Sequence, residues 1–192
     1  MITAIILAAG ESKRMGEPKM LMPWGKSTVL QTVISTFQAA SVKDILVVTG
    51  GAHQQVEALI GKTVETVFNE NYQMGEMLSS IQLGLSVKMR EASAALICLG
   101  DQPQVEARSV RRICNAFLAS KSQIVVPSYQ MQRGHPWLIA RSLWEELIAM
   151  KPPKTSRDFL KKNARAINYV EIDTASVIAD LDTQEDYLKY TA

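Results

Sequence analysis

The chain has 192 residues, of which 47% are hydrophobic, with 21 basic and 19 acidic side chains for a net charge of +2. That length fits one domain with a substantial core. The near balance of charge argues against a general nucleic-acid or membrane-surface binder. The two cysteines, Cys98 and Cys114, form no metal-binding pattern and read as reduced, packed thiols. Met1 to Ala9 lacks the basic leader and cleavage site of a signal peptide, and no apolar run is long enough for a membrane span. The expectation is a cytoplasmic protein.

Ala4 to Leu7 is a compact apolar run that enters a glycine-containing loop. Val29 to Ala39 follows with helical periodicity, placing Val29, Val33 and Phe37 on one face. Ile45 to Val48 reads as a strand stopped by Gly50-Gly51, and Val56 to Ile60 as a helix ended by Gly61, with His53 near its start. Val64 to Phe68, Ala94 to Leu99 and Ile124 to Val126 are further strands; Met77 to Val87 and Val105 to Leu118 are the helices between them. Beyond Pro127 the order is less regular. Pro136 to Ala140 reads as a strand, Leu143 to Ile148 as a helix, Pro152-Pro153 as a break, Ser156 to Lys162 as a capped helix and Val170 to Ile172 as a strand. Continuous apolar strands alternating with helices predict a three-layer α/β/α domain with a mostly parallel, Rossmann-like central sheet over residues 1–192. Ligands in such folds sit beyond the carboxyl ends of the strands.

The first such end carries Leu7-Ala8-Ala9-Gly10-Glu11-Ser12-Lys13-Arg14-Met15-Gly16-Glu17-Pro18-Lys19. Small residues there let backbone amides approach an anion, Arg14 offers a fork of donors, and Lys19 offers a mobile charge. The segment is neither GxxxxGK[ST] nor GxGxxG, and a flexible surface loop is the alternative reading. Asp101, in Gly100-Asp101-Gln102-Pro103, stands just past another strand, where its carboxylate could hold a divalent cation; the same four residues also suit a plain turn. If Val177 to Asp182 is extended, Asp180 and Asp182 share one face. Asp182 could instead cap a helix beginning near Thr183.

The run LAAGESKRMGEPKMLMPWG resembles the LAAGxSxRMGxxKxLxPxxG signature of nucleotidyltransferases of the molybdenum-cofactor type. Gly100-Asp101-Gln102-Pro103, Arg133-Gly134-His135-Pro136 and Asp180-Leu181-Asp182-Thr183 follow in the order of that family's later landmarks, so the resemblance spans nearly the whole chain. The alanine pair before Gly10 is more similar to the cytidylyltransferase branch than to the guanylyl branch, which carries LAGG. Gln184 stands where the family usually has proline.

The resemblance implies transfer of CMP from CTP to the terminal phosphate of the molybdenum-pterin cofactor, with Mg2+ as the metal and a molybdenum hydroxylase receiving the product. It implies nucleotide contacts at Leu7, Ala8, Ala9, Gly10, Arg14, Lys19, Thr49, Gly75, Ser80 and Asp101. Arg14, Lys19, Asp101 and His135 would be catalytic, and Asp101 with Asp180 would hold the metal, Asp182 being the alternate. Ser79 and Ser80 also suit a helix start, Thr49 and Gly50 a routine turn, and His135 a structural role with Arg133 beside it. Met15, Met20, Met22, Met74 and Met77 gather around the same loops, either as core or as an adaptable wall for a large pterin.

Overall fold

A computed structural model describes residues 1–12, 15–74 and 76–191. Its strands are β1 (Ile2–Ala8), β2 (Pro23–Trp24), β3 (Ser27–Thr28), β4 (Asp44–Thr49), β5 (Glu65–Phe68), β6 (Ala94–Leu99), β7 (Ile124–Tyr129), β8 (Gln132–Arg133), β9 (Trp137–Ala140) and β10 (Ile167–Glu171). The helices are α1 (Val29–Ala39), α2 (His53–Ile60), α3 (Glu76–Lys88), α4 (Ala107–Ala119), α5 (Trp144–Ile148), α6 (Ser156–Lys162) and α7 (Gln184–Thr191). An eight-stranded sheet runs β10-β7-β9-β6-β1-β4-β5, with β8 paired to β7. β1 lies parallel to both β4 and β6, with Ala4 opposite Ile45 on one side and Leu96 on the other. β9 alone on that path is antiparallel to its neighbours, which restores β7 and β10 to the direction of β6.

Strand periodicity divides the core in two. Ala4, Ile6 and Ala8 of β1 point to one layer with Leu30, Val33 and Phe37 of α1, Val56 of α2 and Ile113 of α4. Ile5 and Leu7 point to the other, with Ile81 and Leu85 of α3, Trp144 of α5 and Phe159 of α6. Both faces of β1 are therefore apolar, which explains the unbroken hydrophobic run. Gly84 of α3 lets that helix close on the sheet: a Cβ there would meet Ile5 Cγ2 at 2.4 Å. Cys98 is buried in the first layer, where burial holds its thiol well above the ordinary range. No helix among the described residues is long and apolar enough to cross a membrane.

Four local expectations need correction. β7 continues through Pro127 to Tyr129, because β9 pairs only with Ile124 and Val125 and Pro127 owes that neighbour no N–H. α4 begins at Ala107, not Val105. The late strand is Ile167–Glu171 rather than Val170 to Ile172. Residues 177–182 form no strand: Ala175–Val177 is a 3-10 turn and the chain then runs irregularly to α7. The β2–β3 and β7–β8 hairpins carry too few residues for periodicity to announce them.

The amino ends of β4 and β5 gather a charge cluster. Lys88 Nζ, on a side chain 3% exposed, donates to Asp44 Oδ1 at 2.9 Å, Glu65 Oε2 at 2.6 Å and Glu91 Oε2 at 3.1 Å. Burial alone would favour the neutral amine, but the three carboxylates outweigh it and hold the group above the ordinary lysine range. Removing the ammonium leaves three acidic groups facing one another with no compensating charge. Lys88→Met is expected to lower unfolding free energy by about 2 kcal/mol, moderated by the solvent exposure of the two glutamates. Urea denaturation followed by circular dichroism measures it.

Candidate functional site

The carboxyl ends of β1, β4 and β6 meet at one edge, and small residues let their loops touch. A Cβ on Gly50, after β4, would lie 2.3 Å from the Ala9 carbonyl oxygen. A Cβ on Gly100, after β6, would lie 2.9 Å from the Leu7 carbonyl oxygen, which accepts the Gly100 N–H at 3.0 Å. Gly50 and Gly100 thus serve close backbone approach. Between the β1 and β6 ends opens a cleft of about 350 Å³ whose wall includes Leu7, Ala9, Gly10, Lys19, Met20, Tyr72, Met77, Ser80, Asp101, Asp180 and Asp182.

Lys19 begins a 3-10 turn, Lys19–Leu21, and its N–H donates to Ser12 Oγ at 3.0 Å. Its Nζ donates to Asp101 Oδ2 and, at 3.1 Å, to the Leu181 carbonyl oxygen; Asp182 Oδ1 lies 3.5 Å away. The side chains of Lys19 and Asp101 are only 13% and 15% exposed, so this pairing is screened far less than a surface ion pair.

The irregular segment 179–182 is held from several sides. Leu181 is fully buried in a small cluster with Met15, Met22 and Val29. Its N–H donates to the Asp101 carbonyl at 3.3 Å, and Gln104 Nε2 donates to the Ala179 carbonyl. Burying Leu181 leaves Asp180 and Asp182 on the cleft side, the outcome expected of a strand, achieved here without one. Gln102 Nε2 donates to Asp180 Oδ1 at 2.6 Å. Partial burial and then the Asp101 charge push the Asp180 carboxyl above its ordinary range. Asp182 does not cap α7. Thr183 does, exchanging bonds with Asp186 in which Thr183 Oγ1 accepts the Asp186 N–H at 3.2 Å.

The opposite wall is organised by Asn69, which pattern reading passed over. Its buried Nδ2 donates to Ser79 Oγ and Ser80 Oγ at 2.9 Å each, while Oδ1 accepts the Asn71 N–H at 3.0 Å. Only the Asn-x-Asn spacing hinted at this side-chain turn. Tyr72 continues an aromatic row through Phe68 to His53, which begins α2 as expected. Thr49 is fully buried and donates from Oγ1 to the Val67 carbonyl at 3.3 Å. It therefore supports the wall from within the sheet and does not line the cleft, as does Ala8, 2% exposed in the first core layer. Met15, Met20 and Met22 are core residues, with Met20 also on the cleft wall; Met77 lines the cleft and Met74 is 89% exposed. Arg14 and Gly75 lie outside the described residues.

His135 is not among the residues lining this cleft. Its peptide bond to Pro136 is cis, its ring stacks on Trp137 with centroids 4.3 Å apart, and Nδ1 lies 3.4 Å from the Ile97 carbonyl. Gly134 permits the approach to the 3-10 turn, since a Cβ would meet the Val177 carbonyl oxygen at 2.2 Å. Burial pulls the imidazole down to about 4, with the Ile97 carbonyl opposing weakly, so the ring is neutral at physiological pH.

The cleft oxygens of Asp101, Asp182 and Leu181 already converge on one cation, the Lys19 ammonium. An all-oxygen donor set of this kind suits a hard divalent ion. Asp44, Glu65 and Glu91 stand closer to one another, but Lys88 occupies their centre and they lie at the other end of the strands. A wider concavity of about 730 Å³ around Pro152 and Pro153 is edged by Lys151, Lys154 and Lys162. It gathers no comparable set of carboxylates opposite a buried cation.

Residues 4–167 match the family described as the MobA-like NTP transferase domain. The molybdenum cofactor cytidylyltransferase of Escherichia coli (strain K12) is 27% identical, across 97% of this chain and 94% of that protein. The nicotine blue oxidoreductase of Paenarthrobacter nicotinovorans is 25% identical, across 96% and 93%. Among solved structures, Rv0371c from Mycobacterium tuberculosis H37Rv superimposes with a TM-score of 0.88 at 29% identity, covering 99% of this chain and 96% of that one. The same protein is known in complex with manganese, with a TM-score of 0.83.

The His135 environment has a pH signature. Between pH 6.5 and about 4 the unfolded chain binds a proton at this position and the folded chain does not, so stability falls as pH falls through that window. The expected loss of stability from His135 is on the order of 3 kcal/mol once pH is below the folded value. Thermal unfolding from pH 7 to 4 is expected to show a steeper loss for the unaltered protein than for His135→Asn.

Proposed function

The chain belongs to the MobA-like NTP transferase family and is a nucleotidyltransferase; we propose that it transfers CMP from CTP to the terminal phosphate of the molybdenum-pterin cofactor. The observation that carries this reading is the convergence of Lys19, Asp101, Asp180 and Asp182 on one cleft at the carboxyl end of β1. The loop from Leu7 to Lys19, with Arg14, would receive the triphosphate. Ser80 and Gly75 would face the base or ribose, with Thr49 and Ala8 shaping the wall behind them.

Asp101 and Asp180 would hold Mg2+, with Asp182 as the further carboxylate. That ion would draw charge from the phosphate oxygens as pyrophosphate departs. An oxygen of the acceptor's terminal phosphate forms a bond to the α-phosphorus while the bond from that phosphorus to the bridging oxygen breaks. The bonding pair leaves with pyrophosphate. An ionised phosphate is already nucleophilic, so no protein base is required, and catalysis comes from alignment and charge stabilisation. His135, neutral and packed on Trp137 outside the cleft lining, would act on the acceptor only indirectly, by positioning the loop that carries Arg133. The dinucleotide product would pass in the cytoplasm to a molybdenum hydroxylase.

The relative named as an oxidoreductase makes the chemistry a question to test directly. Pyrophosphate release is measured with CTP, GTP, ATP and UTP, each with Mg2+ and the molybdenum-pterin acceptor. CTP is expected to support the fastest turnover. Equal rates with GTP would remove the cytidylyl assignment, and absence of pyrophosphate with every nucleotide would remove the transferase reading of this cleft. Asp101→Asn is expected to lower kcat by about 100- to 1,000-fold with an unchanged circular dichroism spectrum.

A further inference from the structure

The ammonium of Lys19 sits where the oxygen donors of the cleft converge. It is bonded to Asp101 and to the Leu181 carbonyl oxygen, and Asp182 lies 3.5 Å away. Each of these oxygens is one a hard metal ion would take. The lysine backbone is fixed, because its N–H is bonded to Ser12 Oγ and its carbonyl accepts the Met22 N–H at 3.3 Å. Only the side chain is free to yield, and among the described residues lining the cleft the other carboxylates are Asp180 and Asp182.

We propose that Lys19 is a resident counter-ion of the carboxylates, and that divalent metal enters this cleft together with nucleotide rather than before it. The proposal rests on reading the cleft as a metal-dependent nucleotidyltransferase site. A divalent ion arriving alone must displace the ammonium from Asp101 while meeting its positive charge at short range. A triphosphate changes this balance, since it brings enough negative charge to accept both cations. Lys19 then turns from Asp101 to a phosphate oxygen, and the vacated carboxylate oxygen takes the metal. Nucleotide and metal affinities must rise together by the same factor, because the coupling between two binding events is reciprocal.

The lysine therefore has opposite effects on its two partners. Losing it weakens nucleotide binding, while metal binding to the empty cleft becomes tighter. Lys19→Met keeps the length of the stem and removes the charge. Lys19→Arg keeps the charge and controls for changes in packing.

The test is Mn2+ binding read from the electron paramagnetic resonance signal of free Mn2+, with and without CTP and with no acceptor present. In the unaltered protein, weak binding without CTP and at least tenfold tighter binding with it is expected. Lys19→Met without CTP is expected to bind Mn2+ at least tenfold more tightly than the unaltered protein. Lys19→Arg is expected to bind as weakly as the unaltered protein, and Lys19→Met combined with Asp101→Asn to lose the gain. If CTP tightens Mn2+ binding in an Asp101-dependent way but Lys19→Met does not tighten it without CTP, the counter-ion proposal is wrong and the metal site stands. If CTP brings no Asp101-dependent Mn2+ binding at all, the metal site and this proposal fall together.

Discussion

One half-buried ammonium ties together three stretches of chain that are far apart in sequence. Lys19 reaches Asp101 across 82 residues and the Leu181 carbonyl across 162. The first contact depends on the parallel sheet. β1 and β6 run side by side in the same direction, so the loops leaving them emerge together. The third stretch arrives because Leu181 is an apolar anchor between two acidic residues. Its burial with Met15, Met22 and Val29 seats the segment against the loop that follows β1 while turning both carboxylates toward the cleft.

The two lysine-centred clusters at opposite ends of the strands show how one chemistry takes two roles. Lys88 is buried and donates to three carboxylates, two of which, Asp44 and Glu65, also edge a shallow concavity; it stabilises the amino ends of β4 and β5. Lys19 meets two carboxylates and a backbone carbonyl, and faces a cleft of about 350 Å³. Asp180, beside it, is left with its carboxyl raised by burial and by the Asp101 charge. The structurally similar Rv0371c is known in complex with manganese.

Much of this was legible from residues alone. The apolar runs of β1, β4 and β6 identified a sheet covered on both faces, because such strands cannot alternate. Lys19, Asp101, Asp180, Asp182, Gly10 and Ser80 were singled out by motif and do share one cleft. What remained hidden depends on contacts between distant segments. Residues 177–182 read as a strand since their apolar and polar residues alternate, yet side-chain bonds from Gln102 and Gln104 and the burial of Leu181 hold them without a partner strand. Thr183 rather than Asp182 caps α7, a choice between adjacent residues that composition cannot make. Asn69 was missed because its partners, Ser79 and Ser80, are 10 and 11 residues away in the next helix. His135 carried a strong motif, but burial against Trp137 and the cis bond to Pro136 place its ring outside the cleft lining.

In the proposed reaction nucleotide and metal meet at the carboxyl ends of β1 and β6. A crystal structure of the protein with a non-hydrolysable CTP analogue and Mn2+, read by anomalous scattering, tests it most directly. The expected result is a manganese peak bound to the Asp101 carboxylate, phosphates along the loop from Ala9 to Lys19, and Lys19 turned from Asp101 to a phosphate oxygen. Nucleotide bound elsewhere, or manganese among Asp44, Glu65 and Glu91 with the cleft empty, would contradict it.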